Sequence, residues 1–377
     1  MIQVSDKAKC CGCTACASSC PKNCITMQYD EEGFLYPVVD KDLCVNCGIC
    51  DQVCPFGHLN DRVATNSSTY MAFQNSNQNV RMDSTAGGAF SLIAEYIINN
   101  GGIVYAVGYN AEMTVCHEKC DSIRGLNKLR GSKYVQSDLR NIFVDIKSNI
   151  EERLVLFVGT PCQVHGLKAF IGDNKNLYTI DLLCLGVSSP RLFAEWIDYL
   201  NDKYHSQVRH VSFRDKHYGY ATPNVRVFFE NGKSMDQKYD TRVHANLFFR
   251  HYNVRPSCYE CQFREVPRVS DFTIGDFNEI GSINKKMDDD KGTTKVWIHT
   301  GHGKELFRAL EASAVYYILD ESSSNIIGGP KKQIKIPDKR ENFFTDASKM
   351  SYSDLISKWQ PRNIKGELAG VLRPLIN

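Results

Sequence analysis

The 377-residue chain has no long hydrophobic run, little net charge and no glycine-rich dinucleotide turn. Residues 1–20 contain no apolar stretch of the kind found in signal peptides, and residues 90–98 are too few for a membrane helix and include Glu95. A net charge of +2 gives no field that would attract nucleic acid or an anionic membrane. Without a G-x-G-x-x-G turn, a standard dinucleotide-binding fold has no support. We therefore expect a cytoplasmic protein with no membrane span and no nucleic-acid partner.

Cysteine is abundant, with 16 residues. In a reducing compartment this number favours metal binding over disulfides. Eight of the cysteines form two copies of one pattern, C-x2-C-x2-C-x3-C-P, and each cysteine of the second copy lies 34 residues after its counterpart. The spacing is that of a bacterial two-cluster ferredoxin, in which three cysteines of one run and the fourth of the other hold each [4Fe-4S] cluster. The predicted ligands are Cys10, Cys13, Cys16 and Cys54 for one cluster, and Cys44, Cys47, Cys50 and Cys20 for the other.

Zinc sites and disulfides are the alternatives, but zinc ligands usually come as separated pairs. Between the two runs, residues 25–29 and 34–39 predict a hairpin closed by a glycine-containing turn, which also fits a ferredoxin module. Cys11 and Cys24 fall outside the pattern and are predicted to be spare thiols. The duplication therefore predicts a protein that transfers electrons one at a time.

The expected fold class is α+β, with a ferredoxin-like 2[4Fe-4S] module fused to a mixed α/β core domain. We expect the ferredoxin domain over residues 1–59, a polar, amide-rich linker over 60–80, the core over 81–325 and a less regular C-terminal tail over 326–377. The basic run in this tail is interpreted as a solvated surface segment; it comprises Lys331, Lys332, Lys335, Lys339 and Arg340.

The core contains a second set of cysteines. Cys162 follows a predicted buried strand at 154–158, and Cys184 ends the next one at 177–183, so a right-handed crossover would place both at one edge of the sheet. Cys258 and Cys261 add a C-x2-C turn, and four thiolates there predict a third cubane. The alternatives are that Cys162 and Cys184 are buried as small hydrophobes, or that Cys258 and Cys261 bind zinc. The remaining pair, Cys116 and Cys120, is interpreted as packing.

Short motifs in the core occur in the order typical of one family. They are S-T-A-G-G at 84–88, G-S-K-Y-V-Q-S at 131–137, G-T-P-C-Q at 159–163, C-L-G at 184–186, F-R-D-K at 213–216, R-P-S-C-Y-E-C at 255–261 and D-F-T-I-G-D at 271–276. Over residues 81–300 the chain resembles the family formed by the β subunits of coenzyme F420 hydrogenases and dehydrogenases. These iron-sulfur flavoproteins in turn resemble 7-hydroxymethyl chlorophyll a reductases. Residues 292–300 follow the family pattern only loosely, and Trp297 places a bulky ring there.

The resemblance implies a non-covalent FAD and a core [4Fe-4S] cluster held by Cys162, Cys184, Cys258 and Cys261. Glycines at a helix start, with nearby hydroxyl and ammonium donors, suit a pyrophosphate. The predicted FAD contacts are Ser84, Thr85, Gly87, Gly88, Gly131, Ser132 and Lys133, with Thr160 and Gln163 facing the flavin. A helix cap and a tight turn are the alternative interpretation of these motifs. The catalytic residues are unknown; His165, His217 and Tyr218 are candidates for proton delivery.

The favoured function is an iron-sulfur flavoprotein oxidoreductase that passes electrons between the clusters and FAD. Its substrate would be a small organic molecule, coenzyme F420 or another acceptor, and a redox partner protein would exchange electrons with the N-terminal clusters. One alternative is a non-catalytic electron-transfer subunit that serves a partner enzyme. Another is a zinc-stabilised core that binds a partner protein.

Overall fold

The computed structural model describes residues 1–57, 68–264, 268–320 and 333–360. The strands are β1 (Ile25–Tyr29), β2 (Leu35–Val39), β3 (Thr69–Asn75), β4 (Ile103–Tyr109), β5 (Val115–Cys120), β6 (Val155–Gly159), β7 (Leu177–Leu182), β8 (Val208–Asp215), β9 (Asn224–Phe229), β10 (Ser234–Met235), β11 (Phe272–Asp276), β12 (Thr294–Ile298) and β13 (Ala314–Ile318). The helices are α1 (Ala15–Ser19), α2 (Ile49–Gln52), α3 (Gln78–Met82), α4 (Ala89–Asn99), α5 (Ile123–Leu126), α6 (Ile142–Asn149), α7 (Pro161–Ile171), α8 (Pro190–Tyr204), α9 (Tyr239–Phe249), α10 (Pro256–Tyr259), α11 (Ile280–Ile283), α12 (Gly301–Leu310), α13 (Arg340–Ala347) and α14 (Tyr352–Trp359).

The N-terminal module consists of the β1–β2 hairpin and the short helices α1 and α2. The strands pair antiparallel, with Ile25 opposite Val39. The Asp30 carboxylate closes the turn by accepting the backbone N–H groups of Glu32 and Phe34, at 3.1 and 2.8 Å. The hairpin predicted from the sequence is therefore present.

The core is built on an eight-stranded mixed sheet in the order β13-β3-β12-β11-β7-β6-β4-β5. The central strands β11, β7, β6 and β4 run parallel to their neighbours in that group. Every residue of β6 is buried, as expected of a parallel strand that is covered on both faces. With the ferredoxin-type module, this sheet confirms the predicted fold class.

The stretch predicted as a surface linker contains a buried strand. Residues 69–75 form β3, which pairs with β12 and β13 inside the large sheet, so the linker interpretation is wrong for these residues. The amide side chains of this stretch resemble the composition of a surface linker, so the sequence pattern did not predict a strand. Gln74 is buried because its Nε2 donates to the carbonyl of Met287 at 2.7 Å and to Oγ1 of Thr293 at 2.8 Å. Residues 60–67 lie outside the described part of the chain.

A second sheet follows the parallel strands. β8, β9 and β10 form an antiparallel sheet in the order β10-β9-β8, which confirms the period-two pattern of the sequence. Trp196 of α8 is fully buried in the hydrophobic cluster beneath this sheet, together with Phe193 and Val227. The small sheet thus has its own core beside the large one.

The C-terminal part contains two helices that pack on the N-terminal hairpin. Phe343 of α13 and Leu355 of α14 share a buried cluster with Phe34. Arg340 was predicted to be solvated, but its side chain is largely buried and forms an ion pair with Glu32, at 2.7 and 2.6 Å. The tail is therefore more regular than expected over residues 333–360. No helix of the described residues is long and apolar enough to cross a membrane.

Candidate iron-sulfur and cofactor site

The sequence duplication is reproduced in the backbone of the two cysteine runs. Gly12 and its counterpart Asn46 have positive φ angles of 67° and 52°, and Thr14 and Gly48 have φ of 62° and 78°. In each run the left-handed residues lie between the first three cysteines, and a short helix follows, α1 in the first run and α2 in the second. These tight turns direct the first three sulfurs of a run toward one point.

The first cluster site comprises Cys10, Cys13, Cys16 and Cys54. Burial raises the pKa of the Cys16 thiol, and repulsion from Cys13, Cys10 and Cys54 raises it further. The pKa of Cys54 is raised in the same way, by burial and by Cys13 and Cys10. Mutual repulsion of this kind requires the sulfurs to be close together. The structure therefore brings the fourth cysteine of the second run to the first three of the first run.

The second cluster site comprises Cys44, Cys47, Cys50 and Cys20, which line one small cavity. The structure thus brings Cys20 of the first run close to three cysteines of the second run. Cys24 lines the same cavity, and its Sγ lies 3.3 Å from that of Cys20. Cys47 is exposed, so this site is the one at the molecular surface.

The core site comprises Cys162, Cys184, Cys258 and Cys261, which line a second small cavity. Cys162 lies in the first turn of α7, directly after β6, and Cys184 follows β7. Because β6 and β7 are parallel neighbours, both cysteines lie at the same sheet edge, as the crossover argument predicted. Cys258 belongs to α10 and faces them from the other side of the cavity.

Electrostatics also indicates that the four core sulfurs are close together. Burial raises the pKa of Cys258, and repulsion from Cys184, Cys162 and Cys261 adds to the increase. Burial also raises the pKa of Cys184 to about 12, with Cys162 and Cys261 contributing. A thiolate set of this kind needs a cationic centre when it is deprotonated, and the donor set fits an iron-sulfur cluster. No three His, Cys, Asp or Glu side chains of the described residues are spaced for one metal ion.

Cys11, which was predicted to be a spare thiol, lies between the first cluster site and the core site. It packs in one apolar cluster with Cys13 and Cys162, and it lines the cavity of the core site. The close approach depends on Gly166 of α7, since a Cβ there would lie 2.7 Å from the sulfur of Cys13. The N-terminal module therefore docks with its first cluster site against the core site. Neither the spacing nor the periodicity of the sequence indicated this contact.

A cavity of about 520 Å³ opens at the carboxyl ends of the parallel strands, and we call it the sheet-edge cavity. This is the place where open α/β sheets bind ligands. Gly88 is the N-cap of α4 with a φ of 85°, and no side chain caps this helix end, where Ala89 and Phe90 also line the cavity. Free backbone N–H groups at a helix start suit an anionic group such as a pyrophosphate.

Most of the predicted FAD contacts line the sheet-edge cavity. They are Ser84, Thr85, Gly88, Gly131, Ser132, Lys133, Thr160 and Gln163. The motifs at 84–88 and 131–137 are joined directly, because the backbone N–H of Ser132 donates to Oγ1 of Thr85 at 2.9 Å. The two polar loops therefore form one wall.

Gly87 departs from the prediction. It is absent from the cavity lining given by the described residues, and its N–H donates to Oγ1 of Thr294 at 2.8 Å. A Cβ at this position would overlap the carbonyl oxygen of Phe73. The glycine therefore permits close packing of the loop on β3 and β12, and its N–H is not available to a pyrophosphate.

Lys133 also differs from the expected ammonium donor. Its Nζ donates to the carbonyls of Val107, Arg130 and Leu129, at 2.8, 2.9 and 3.2 Å. All three N–H groups of an ammonium are then used. Lys133 consequently fixes the loop that borders the cavity, and the cationic side chains available to a ligand there are others.

Sequence reasoning missed two ion pairs in the cavity wall. Arg214 pairs with Asp276 at 2.8 Å, and Lys295 pairs with Glu279 at 3.0 Å. Arg214 and Asp276 belong to motifs that carry the resemblance, which was the only available signal. The candidates for proton delivery, His165, His217 and Tyr218, do not line the described cavity.

The core site and the sheet-edge cavity share a wall. Cys184, Thr160, Gln163, Gly186 and Val187 line both. A group bound in the sheet-edge cavity would therefore contact Cys184, whose sulfur belongs to the core site. The first cluster site adjoins the core site at Cys11, and the core site adjoins the sheet-edge cavity at Cys184.

These features define an iron-sulfur electron-transfer protein, and comparisons with known proteins agree. Residues 9–58 match the 4Fe-4S dicluster domain, and residues 152–323 match the family described as the C terminus of the coenzyme F420 hydrogenase/dehydrogenase beta subunit. Over residues 152–323 the chain is thus similar to this family of beta subunits, and its N-terminal end matches a 4Fe-4S dicluster domain.

Two curated proteins and one solved structure are similar to the chain. The F subunit of F(420)H(2) dehydrogenase from Methanosarcina mazei is 25% identical over 320 residues, which cover 79% of this chain and 81% of the relative. The PorD subunit of pyruvate synthase from Methanothermobacter marburgensis is 38% identical over 50 residues, 13% of this chain and about half (52%) of that relative. The structure of the F420-reducing [NiFe] hydrogenase complex from Methanosarcina barkeri, in a xenon-derivatised form, aligns with a TM-score of 0.48 and 16% identity, covering 79% of this chain and 94% of that one.

Proposed function

We propose that the chain is an FAD-dependent iron-sulfur oxidoreductase that connects its N-terminal clusters to a small organic substrate through a core cluster and FAD. The observation that carries this proposal is the wall shared by the core site and the sheet-edge cavity, to which Cys184 contributes. Electron transfer needs redox centres in close succession, and the first cluster site, the core site and the sheet-edge cavity adjoin one another. Cys11 supplies the contact between the first cluster site and the core site.

The ligand assignments are part of the proposal. The first cluster site and the second cluster site would hold the two ferredoxin clusters, and the core site a third [4Fe-4S] cluster. Cysteine thiolates are the ligands that such clusters require. Sixteen cysteines, all of them free thiols in the structure, suit a reducing compartment, and we propose the cytoplasm. We propose a ferredoxin domain ending near residue 59 and a core beginning at β3.

FAD in the sheet-edge cavity would supply the exchange between single electrons and a hydride equivalent. The protein's contribution is binding and orientation. The start of α4 and the Thr85–Ser132 wall would hold the pyrophosphate, while Phe248 and Phe249 offer apolar surface in the same cavity. Thr160 and Gln163 lie at the end that adjoins the core site, so this is the end where we place the flavin ring.

Asp276 is the cavity carboxyl that we assign to proton transfer. Burial raises the pKa of this carboxyl, although Arg214 opposes the increase, and the two side chains are 2.8 Å apart. A raised pKa makes a carboxyl more readily protonated than a free one, which suits proton transfer. Asp276→Asn should lower turnover by about tenfold or more while the bound flavin stays unchanged. Unchanged turnover in this variant would remove Asp276 from the mechanism.

Coenzyme F420 is one candidate substrate, because the family and the F(420)H(2) dehydrogenase relative carry its name. Another small organic acceptor is equally compatible with the cavity. Anaerobic turnover with reduced viologen as the electron donor, measured against F420 and a panel of small molecules, would identify the substrate. A redox partner protein would exchange electrons at the second cluster site, where Cys47, Leu43 and Val45 are exposed.

Cofactor analysis of anaerobically purified protein tests the proposal directly. Three clusters predict about 12 iron atoms per chain, together with one FAD. Iron without flavin would instead support a non-catalytic electron-transfer subunit, an alternative suggested by the names of both curated relatives, which are subunits. About 8 irons with one zinc would support a zinc-stabilised core.

A further inference from the structure

Arg255 is a fully buried cation between the first cluster site and the core site. It is the N-cap of α10, the helix that carries Cys258. Its Nη2 contacts the sulfur of Cys10 at 3.7 Å, and its Nε donates to the carbonyl of Cys10 at 2.9 Å. The side chain thus extends from the core into the N-terminal module.

The remaining donors of this guanidinium meet neutral oxygen atoms. Nη1 donates to Oε1 of Gln136 at 2.8 Å, and Nη2 donates to the carbonyl of Leu35 at 3.0 Å. Among the described residues, none of the hydrogen bonds of Arg255 is to a carboxylate. A buried charge without a counter-charge is costly in free energy, so this arrangement calls for an anion nearby.

Thiolates bound to clusters at the first cluster site and the core site would supply that anion. Arg255 contacts Cys10 of the first cluster site directly, and it caps the short helix that carries Cys258 of the core site. The Tyr36 ring lies 4.2 Å from the guanidinium carbon and shields this region. Charges interact strongly where water is excluded.

We propose that Arg255 raises the reduction potential of the first cluster and thereby favours an electron at the junction between the N-terminal module and the core. Reduction adds a negative charge to a cluster, and a nearby cation and an N–H group directed at a ligand sulfur stabilise that charge. The effect should be largest on the first cluster, smaller on the core cluster and absent at the second cluster site. This inference rests on the cluster assignments of the proposed function.

Arg255 also joins the N-terminal module to the core. Arg340 joins the same two parts and therefore provides a control for the loss of that contact. Arg340 ties Glu32 of the hairpin to the carbonyl of Val254 at 2.9 Å and contacts the Tyr259 hydroxyl at 3.0 Å. None of its described hydrogen bonds is to a cysteine. Arg340→Gln therefore weakens the docking of the module without removing the charge beside Cys10.

The experiment is an anaerobic redox titration, followed by electron paramagnetic resonance, of the wild type, Arg255→Gln and Arg340→Gln. In Arg255→Gln, the potential of one N-terminal cluster should fall, so that its equilibrium constant for reduction decreases by about tenfold or more. Arg340→Gln should not lower this potential. A Cys47→Ser variant, which alters the second cluster, identifies which signal belongs to the first.

Gln136→Glu offers an independent test if Arg255→Gln does not assemble its clusters. The new carboxylate would lie beside Nη1 and neutralise the field of Arg255 while leaving the arginine in place, so the same potential should fall. A loosened interface would instead raise the reduction potential of the first cluster, because water that enters it stabilises the more negative, reduced cluster. Unchanged potentials, or an equal rise in Arg255→Gln and Arg340→Gln, would overturn the inference. Missing clusters in the wild type would instead contradict the proposed function, since iron content is measured first.

Discussion

Cys11 and Cys162 line one small cavity and pack in one apolar cluster, and they join two parts of the chain that are about 150 residues apart. The hydrogen bond from Cys11 lowers the pKa of Cys162, with the Thr160 hydroxyl and Arg255 contributing in the same direction. Only one of the two neighbours belongs to a predicted ligand set. Variants of the two residues can therefore distinguish a predicted ligand, Cys162, from a neighbour of the ligands, Cys11.

Cys162→Ala should remove the core cluster. The iron content is expected to fall from about 12 to about 8 atoms per chain, with the spectra of the two N-terminal clusters retained. Cys11→Ala is the matched control, since it removes a buried thiol from the same place but leaves all 12 predicted ligands. It should retain about 12 irons and lose only roughly 1–2 kcal/mol of stability. Full iron in Cys162→Ala, or loss of four irons in Cys11→Ala, would show that the core ligand set is misassigned.

Gly87→Ala should destabilise the protein by about 2–4 kcal/mol. The added Cβ would meet the carbonyl oxygen of Phe73 and lie 2.7 Å from the backbone nitrogen of Thr294, and backbone atoms of a central sheet cannot rotate away. Gly301→Ala, at the start of α12, is the control because nothing lies within 4 Å of its added Cβ. It should change stability by less than about 0.5 kcal/mol. Anaerobic thermal unfolding compares the two, and equal unfolding temperatures would contradict the packing role of Gly87.

Thr85→Val should weaken FAD binding by about tenfold. The substitution keeps the shape of the side chain but removes the hydroxyl that accepts the N–H of Ser132 and lies 3.2 Å from its Oγ. Losing these hydrogen bonds at the proposed pyrophosphate wall costs about 1–1.5 kcal/mol. Thr85→Ser retains the hydroxyl and should bind FAD like the wild type. Fluorescence titration of the flavin-free protein gives both affinities, and the iron content should be the same in both variants. Equal affinities would place the pyrophosphate elsewhere.

The sequence predicted the parts of the site that depend on local spacing. The grouping of the cysteines of the two runs and the position of Cys184 after a parallel strand follow from short-range pattern and from the handedness of crossovers. The roles of Cys11 and Arg255 could not be predicted in this way. Both depend on how the N-terminal module docks on α7 and α10. Long-range packing of this kind produces no periodic pattern in the sequence.

Strand β3 and Gly87 show that long-range packing also limits what the sequence predicts about the fold. The amides of β3 have the composition of a linker, and only pairing with Met287 and Thr293, more than 200 residues away, makes their burial favourable. The motif at 84–88 borders the sheet-edge cavity, yet one of its glycines serves the packing of the sheet. A motif thus locates a site more reliably than it assigns each member a role.

Stability should decrease as the pH falls from about 6.5 toward 4, because buried histidines are neutral in the folded protein. Burial lowers the pKa of His117, His210 and His299 to about 4, and that of His244 to about 3, below the value of about 6.5 in the unfolded chain. Between these values the unfolded state binds more protons, so the free energy of unfolding rises with pH and levels off above about 6.5.

His117→Gln should reduce this pH dependence. Nε2 of His117 lies 3.0 Å from the carbonyl oxygen of Val158, which a glutamine amide can also reach, but glutamine does not titrate. The variant should lose a slope of up to about 1.4 kcal/mol per pH unit below pH 6.5. His205→Asn is the control, because His205 is exposed in the left-handed conformation that asparagine tolerates. Unfolding temperatures at about pH 5.5 and 7.0 measure the slopes. Parallel pH profiles for His117→Gln and the wild type would show that His117 is not the neutral buried group that its surroundings indicate.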